Sequence, residues 1–203
     1  MQRVSQSDVR PDFVELASHF NELVAGSGLQ GVFDANCYAY GTLGKTDLHE
    51  DDLDIGELHM EALTTSLLVT GNLTVRGLLK QDFRSGFLTV LGNVSARSIL
   101  TTSQLNVGGD LRVEDTLYGN CTNYTTNALG MTTARLLVSA KEHHFTLLRG
   151  HRFDLVEDVG GRTPNMSKYA TGSRRPKLVL SADELFDDNL VFETLRRRGT
   201  LIA

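Results

Sequence analysis

Leu68-Val69-Thr70-Gly71-Asn72-Leu73-Thr74-Val75-Arg76 is a phrase that the chain writes four times. It returns as Thr89-Val90-Leu91-Gly92-Asn93-Val94-Ser95-Ala96-Arg97 and as Asn106-Val107-Gly108-Gly109-Asp110-Leu111-Arg112-Val113-Glu114. A looser copy is Asn127-Ala128-Leu129-Gly130-Met131-Thr132-Thr133-Ala134-Arg135. Within a copy, Val69, Leu73 and Val75 face one way while Thr70, Thr74 and Arg76 face the other, the period-2 pattern of a half-buried strand. The central Gly-Asn or Gly-Asp pair marks a bend, read here through the tolerance of these residues for positive φ.

The repeat glycines Gly71, Gly92, Gly109 and Gly130 are 21, 17 and 21 residues apart. A degenerate copy precedes them if Gly56-Glu57-Leu58-His59-Met60-Glu61-Ala62-Leu63 is aligned with Gly71 to Leu78. A period near 20 marks a repeat architecture whose units bury their apolar faces only by stacking. With rungs about 4.8 Å apart, equivalent side chains lie over one another. The expected fold is therefore mainly β: a single-stranded parallel β-helix, with Val69, Val90 and Val107 as one internal column. Val75, Ala96, Val113 and Ala134 form a second. Leucine-rich repeats share the period, but the second half of each unit has no helix-length apolar pattern. A left-handed hexapeptide helix would need apolar positions every six residues, which the uneven steps do not give.

Around this body the sequence predicts one domain over residues 1–203. Residues 10–25 form an amphipathic helix, with Phe13, Leu16, Ala17, Phe20, Leu23 and Val24 on one face. It would serve as a lid on an open solenoid end or lie along its side. The solenoid body covers 31–155, beginning with an irregular rung at 31–43 that contains Cys37. His143, His144 and Phe145 finish the last rung, and Phe145 and Leu147 alternate with polar neighbours. Residues 156–176 are a flexible Gly/polar loop. A C-terminal strand and helix occupy 177–203. Ser181-Ala182-Asp183-Glu184 is a capping box, Arg196, Arg197 and Arg198 suit the negative end of the helix dipole, and Gly199 stops the helix. Leu185, Phe186, Leu190, Phe192 and Leu195 would dock it on the solenoid or on a second subunit.

The formal charge is −5 and the sequence pI about 5.7, so nothing draws the whole chain to nucleic acid. No apolar run is long enough to span a bilayer. Met1 to Asp8 lacks a signal-peptide core, and Cys37 and Cys121 make no disulfide framework. These features give a cytoplasmic expectation. Seven carboxylates (Asp47, Glu50, Asp51, Asp52, Asp54, Glu57, Glu61) crowd positions 46–61 with His49 and His59. Such a set could hold a divalent metal, but a solvated acidic face is the preferred reading. Cys121 with His143, His144 or His151 could form a Cys/His pair, but the local sequence supplies no such geometry. No catalytic, cofactor or metal residue is assigned.

The outward column after each core residue reads Glu61, Arg76, Arg97, Glu114, Arg135, with Arg112 one strand position away. Asn72, Asn93 and Asp110 recur at one bend and form a polar ladder. The longest insertion, Tyr118 to Thr126, has exposed aromatic and polar character. The partner-contact candidates are accordingly Arg76, Arg97, Arg112, Arg135, Tyr118 and Tyr124.

The Val-x-Gly-Asn/Asp-Leu-x-Val phrases over residues 53–145 resemble bacterial bactofilin-like, polymer-forming β-helix proteins. The resemblance implies a solenoid and implies no catalytic residue; end lids would oppose filament growth. The functional expectation is a non-enzymatic scaffold or protein-binding solenoid using its flank and inserted loops, with a protein partner or self-association. The alternative is a carbohydrate- or acyl-directed enzyme on the same scaffold, by analogy of fold.

Overall fold

The structure is a computed structural model that describes residues 46–62, 66–163, 166–169 and 176–203. The expected helix at 10–25, the rung at 31–43 and Cys37 lie outside the described residues.

The repeat builds a parallel β-solenoid. Each coil gives one short strand to a six-stranded sheet: β1 (Thr46–His49), β4 (Ser66–Val69), β6 (Leu88–Val90), β8 (Leu105–Val107), β11 (Thr125–Ala128) and β13 (His144–Leu147). After the Gly-Asn bend it enters an eight-stranded sheet. That sheet holds β2 (Leu53–Ile55), β3 (Leu58–Met60), β5 (Leu73–Gln81), β7 (Val94–Thr101), β9 (Leu111–Val113), β10 (Thr116–Asn120), β12 (Thr132–Ala140) and β14 (His151–Asp158). All strand pairings in both sheets are parallel.

Val69, Val90 and Val107 are register partners and fully buried, as the repeat predicts. His49, Val69, Val90, Val107, Ala128 and Leu147 mark coils of 20, 21, 17, 21 and 19 residues. The second column runs through Ile55, Val75, Ala96 and Val113, with Ala134 over Phe153. Among the described residues no helix interrupts the coils, which sets aside a leucine-rich repeat.

Two features of the repeat differ from the sequence reading. The degenerate first copy is Asp51 to Gly56, five residues earlier than expected: Leu53 pairs with Leu73 and Ile55 with Val75. Met60 instead pairs with Gln81, which removes Glu61 from the arginine column. The repeat glycines also do not owe their place to positive φ, since none of Gly71, Gly92, Gly109 and Gly130 adopts it. Their N–H groups bond the carbonyl of the preceding coil (Gly92 to Gly71 at 3.0 Å, Gly109 to Gly92 at 2.8 Å), and a β-carbon there would overlap that coil's backbone or its Asp or Asn side chain. Close approach is the requirement.

The ladder beside them forms and begins one rung earlier. Asp52 Oδ1 accepts from the Asn72 backbone N–H at 2.6 Å, Asn72 Oδ1 from that of Asn93 at 2.8 Å, and Asn93 Oδ1 from that of Asp110 at 2.8 Å. Asp110 Oδ1 accepts from Met131 at 2.9 Å. Each bend donor is thus satisfied by the coil below.

The second halves of the long strands are buried on both faces, which explains doublets such as Leu78-Leu79, Ile99-Leu100 and Leu136-Leu137. Leu79, Ile99, Leu117 and Leu137 point inward. Leu78, Leu100, Tyr118, Leu136 and Val138 point outward beneath helix α1 (Asp188–Arg198), meeting Leu185, Val191, Leu195 and Leu201. The predicted helix is divided. The Ser181/Glu184 capping box forms at 2.8 and 3.3 Å but opens only a 3-10 turn at Glu184–Phe186. Asp187 then caps α1 by accepting from Asn189 and Leu190, and Gly199 ends it at φ 74°.

At the last coil, a 3-10 turn at Met166–Tyr169 buries Met166 and Tyr169 in the main core. The Tyr169 hydroxyl donates to the Phe145 carbonyl at 2.7 Å.

Candidate functional site

The flank that carries the arginine column is the outer face of the eight-stranded sheet just after each bend. Arg76, Arg97 and Glu114 directly follow the aligned core residues Val75, Ala96 and Val113, and so point outward. Arg135 follows Ala134 in the same way, since Thr133 aligns with Arg112.

The candidates differ in what they touch. Arg76 Nη2 sits 2.8 Å from Asp54 Oδ2, and Arg112 Nη2 sits 2.8 Å from Asp110 Oδ2. The Met131 N–H, reinforced by Arg112, holds the Asp110 carboxyl below its ordinary value. Both arginines have local partners, and exposed pairs of this kind contribute only about 0–1 kcal/mol. Arg135 Nη1 stands 3.7 Å from Asp115 Oδ1, and the other Asp115 oxygen accepts the Thr116 hydroxyl at 2.7 Å. The Arg97 side chain makes no ion pair or hydrogen bond among the described residues.

Arg97 and Arg135 line an open cleft of about 310 Å³. One wall is the solenoid, with Arg97, Glu114, Asp115 and Arg135; the other is the end of α1, with Arg198, Gly199 and Thr200. The Arg97 guanidinium lies against Gly199, where a β-carbon would overlap Nη2. This contact restricts the side chain while leaving its guanidinium N–H donors without a hydrogen-bond partner among the described residues. Arg198 is likewise exposed and without an ion-pair partner among the described residues. The sequence reading places Arg198 on the helix dipole and Gly199 at the helix end, and gives no role to Asp115 or Thr200. No local signal joins position 97 to position 198.

Tyr118 is not a surface contact. It is fully buried under α1 and donates to the Leu185 carbonyl at 2.6 Å and to Asp188 Oδ1 at 3.3 Å. Its strand half, read as exposed, is roofed by a helix from far along the chain. Burial pushes its phenol well above the ordinary value, with Asp188 adding to the effect. Asn120 also donates to Asp188. Tyr124 is partly exposed, at the corner that the insertion reading proposed, with Phe83 and Phe87 edge-on at 6.3 and 6.0 Å.

Other chemistry-bearing groups have structural partners. Asp82 accepts from Lys80 at 2.8 Å and faces His59 at 2.9 Å, while Lys80 lies 4.3 Å over the Phe192 ring. This cluster ties the early coils to α1. His143 is buried against Gly119, and its Nε2 meets the Thr126 hydroxyl at 3.0 Å. Burial lowers its pKa to about 3, opposed by the Cys121 backbone. An imidazole so engaged is a neutral core residue rather than the base of a thiolate. Among the described residues, no group of three or more His, Cys, Asp and Glu is placed to hold a metal, and no helix is long and apolar enough to cross a membrane.

Compared with protein-family models, curated proteins and solved structures, the chain matches none.

Proposed function

We propose that the chain is a non-enzymatic binding solenoid that engages a protein partner on its arginine flank, where the column meets the end of α1. The observation that carries this reading is the pair Arg97 and Arg198. They face one cleft from separate elements, and neither has a charged partner among the described residues. An arginine kept for local stability is expected to sit beside a carboxylate, as Arg76 and Arg112 do. The cleft adds shape to charge, and the rigid coils beneath it hold its solenoid wall in place. Catalysis finds less support here: of the two carboxylates in the cleft, Asp115 is already occupied by Thr116 and Arg135.

The test is affinity capture from lysate with the parent chain and with an R97E/R198E variant, identifying what each retains. A protein held by the parent and lost from the variant is expected, with weaker retention at high salt because surface charge is screened. Equal recovery on both baits, or none on either, would sink the reading.

A further inference from the structure

We infer that the cleft takes a carboxylate from an acidic segment of the partner, and that Glu114 keeps phosphoryl groups out. This rests on the reading of the cleft as a partner-binding surface and names the chemistry that it selects.

The charge balance comes first. Three guanidiniums (Arg97, Arg135, Arg198) and two carboxylates (Glu114, Asp115) line the cleft, a surplus of one positive charge. The C-terminal end of α1 adds partial negative charge to the same wall. One carboxylate balances such a site. A phosphate monoester near neutral pH carries roughly −1.5 to −2 and would overshoot. Glu114 is exposed and its carboxylate has no ion pair or hydrogen bond among the described residues, so its charge acts on whatever enters. Asp115, in contrast, is buried and already paired.

Geometry agrees. The Arg97 guanidinium lies against Gly199, whose φ of 74° suits a residue without a β-carbon. A guanidinium restricted by such a contact presents a fork that matches a carboxylate through two parallel N–H···O bonds. Preorganisation of this kind lowers the cost of ordering on binding. Arg198 approaches from the opposite wall. The volume, about 310 Å³, sits at the low end of the range for ligand sites, roughly 300–1,000 Å³. It has room for an acidic side chain and part of its backbone, not for a long ligand. Like charge placed against the wrong ligand is a recognised route to specificity, and Glu114 occupies that position.

The test uses the full chain and short fluorescent peptides with amidated C-termini, so that side chains supply the only carboxylates. One peptide carries adjacent Glu and Asp, a second Gln and Asn, a third phosphoserine; polarisation reads binding. The acidic peptide is expected to bind at least about tenfold tighter than the neutral one, the scale of one charge-assisted pair. R97Q and R198Q, on different elements, should each weaken it by about tenfold. R196Q makes the same charge change in the last turn of α1 outside the cleft and should weaken it by less than about threefold. The phosphoserine peptide should bind the parent more weakly than the acidic one, and E114Q should narrow or reverse that order. Equal binding of acidic and neutral peptides, tighter binding of phosphoserine to the parent, or indifference to R97Q and R198Q would each overturn the inference. If a captured protein depends on Arg97 and Arg198 while no acidic peptide binds, this inference fails and the binding-solenoid reading survives. If neither is seen, both fail.

Discussion

Gly92 lacks a side chain because the coil below leaves no room for one. An added β-carbon would overlap the Gly71 carbonyl and the Asn72 side chain, both part of the ladder. Gly92→Ala should therefore destabilise by about 1–3 kcal/mol, as overpacking does. Gly56 has ordinary φ and nothing within 4 Å of an added β-carbon. Gly56→Ala should be neutral or stabilise by up to about 1 kcal/mol through the unfolded chain. Urea unfolding of the two variants checks the contrast, and equal effects would refute the close-approach account. The glycine positions were legible in the sequence but their cause was not, because the obstructing atoms belong to residues about twenty positions earlier. His143 gives a second prediction. Its pKa is about 3 in the fold against an ordinary 6.5, lowered by burial. Between those values the unfolded chain binds a proton that the folded chain does not. The histidine's contribution is therefore whole above pH 6.5 and is lost as pH falls toward 3, at up to about 1.4 kcal/mol per pH unit. From pH 7 to 5 the parent should lose about 2 kcal/mol more than His143→Asn. Parallel losses in urea titrations at the two pH values would contradict this.

At the scale of elements, the doublets of the long strands and helix α1 are one device. Outward-facing Leu100, Tyr118 and Val138 would lie in water without the roof provided by Val191, Leu195 and Leu201. The sequence pattern showed the apolar doublets and a C-terminal helix. It did not show that they cover each other, since period-2 alternation fails wherever both faces of a strand are buried. Nor did it show the break at Asp187. The capping box satisfies its own short turn, and Asp187 then supplies a second, separate cap. Asp187→Ala should cost about 1 kcal/mol, concentrated in the docking of α1 rather than in the coils. Hydrogen exchange is the suitable measurement. Amides from Val191 to Arg198 should exchange faster in the variant while those of β7 and β12 keep their protection. Uniform acceleration across both would mean that helix and coils unfold as one unit. The cleft depends on this docking, because one of its walls is the end of α1. Its solenoid wall was foreseeable from the repeat and its helical wall was not.

For the whole molecule, the central question is what stops the stack of coils. Solenoids are quasi-one-dimensional, each coil is bound mainly by its neighbours, and an open end offers unpaired strand edges to another chain. Among the described residues, β13 pairs only with β11 and β14 only with β12, so these two strands form the last coil. Over them lies the turn Met166–Tyr169. Met166 and Tyr169 are buried in the main core, Tyr169 bonds the Phe145 carbonyl, and His151 packs edge-on against the Tyr169 ring at 4.8 Å with Phe153 at 6.0 Å. This turn falls in the Gly/polar stretch without periodicity, so nothing local in the sequence distinguished a plug from a linker. Replacing both anchors, M166S/Y169S, should expose Phe145 and Phe153 beside the β13 and β14 edges and convert the end into an association surface. Sedimentation velocity over a wide concentration range should show the variant associating at concentrations about tenfold or more below those at which the parent does, in keeping with the loss of two large buried side chains. Circular dichroism should still report the β-rich spectrum, because the coils that precede the plug retain their own stacking contacts. Variant and parent associating alike would show that the turn does not block growth.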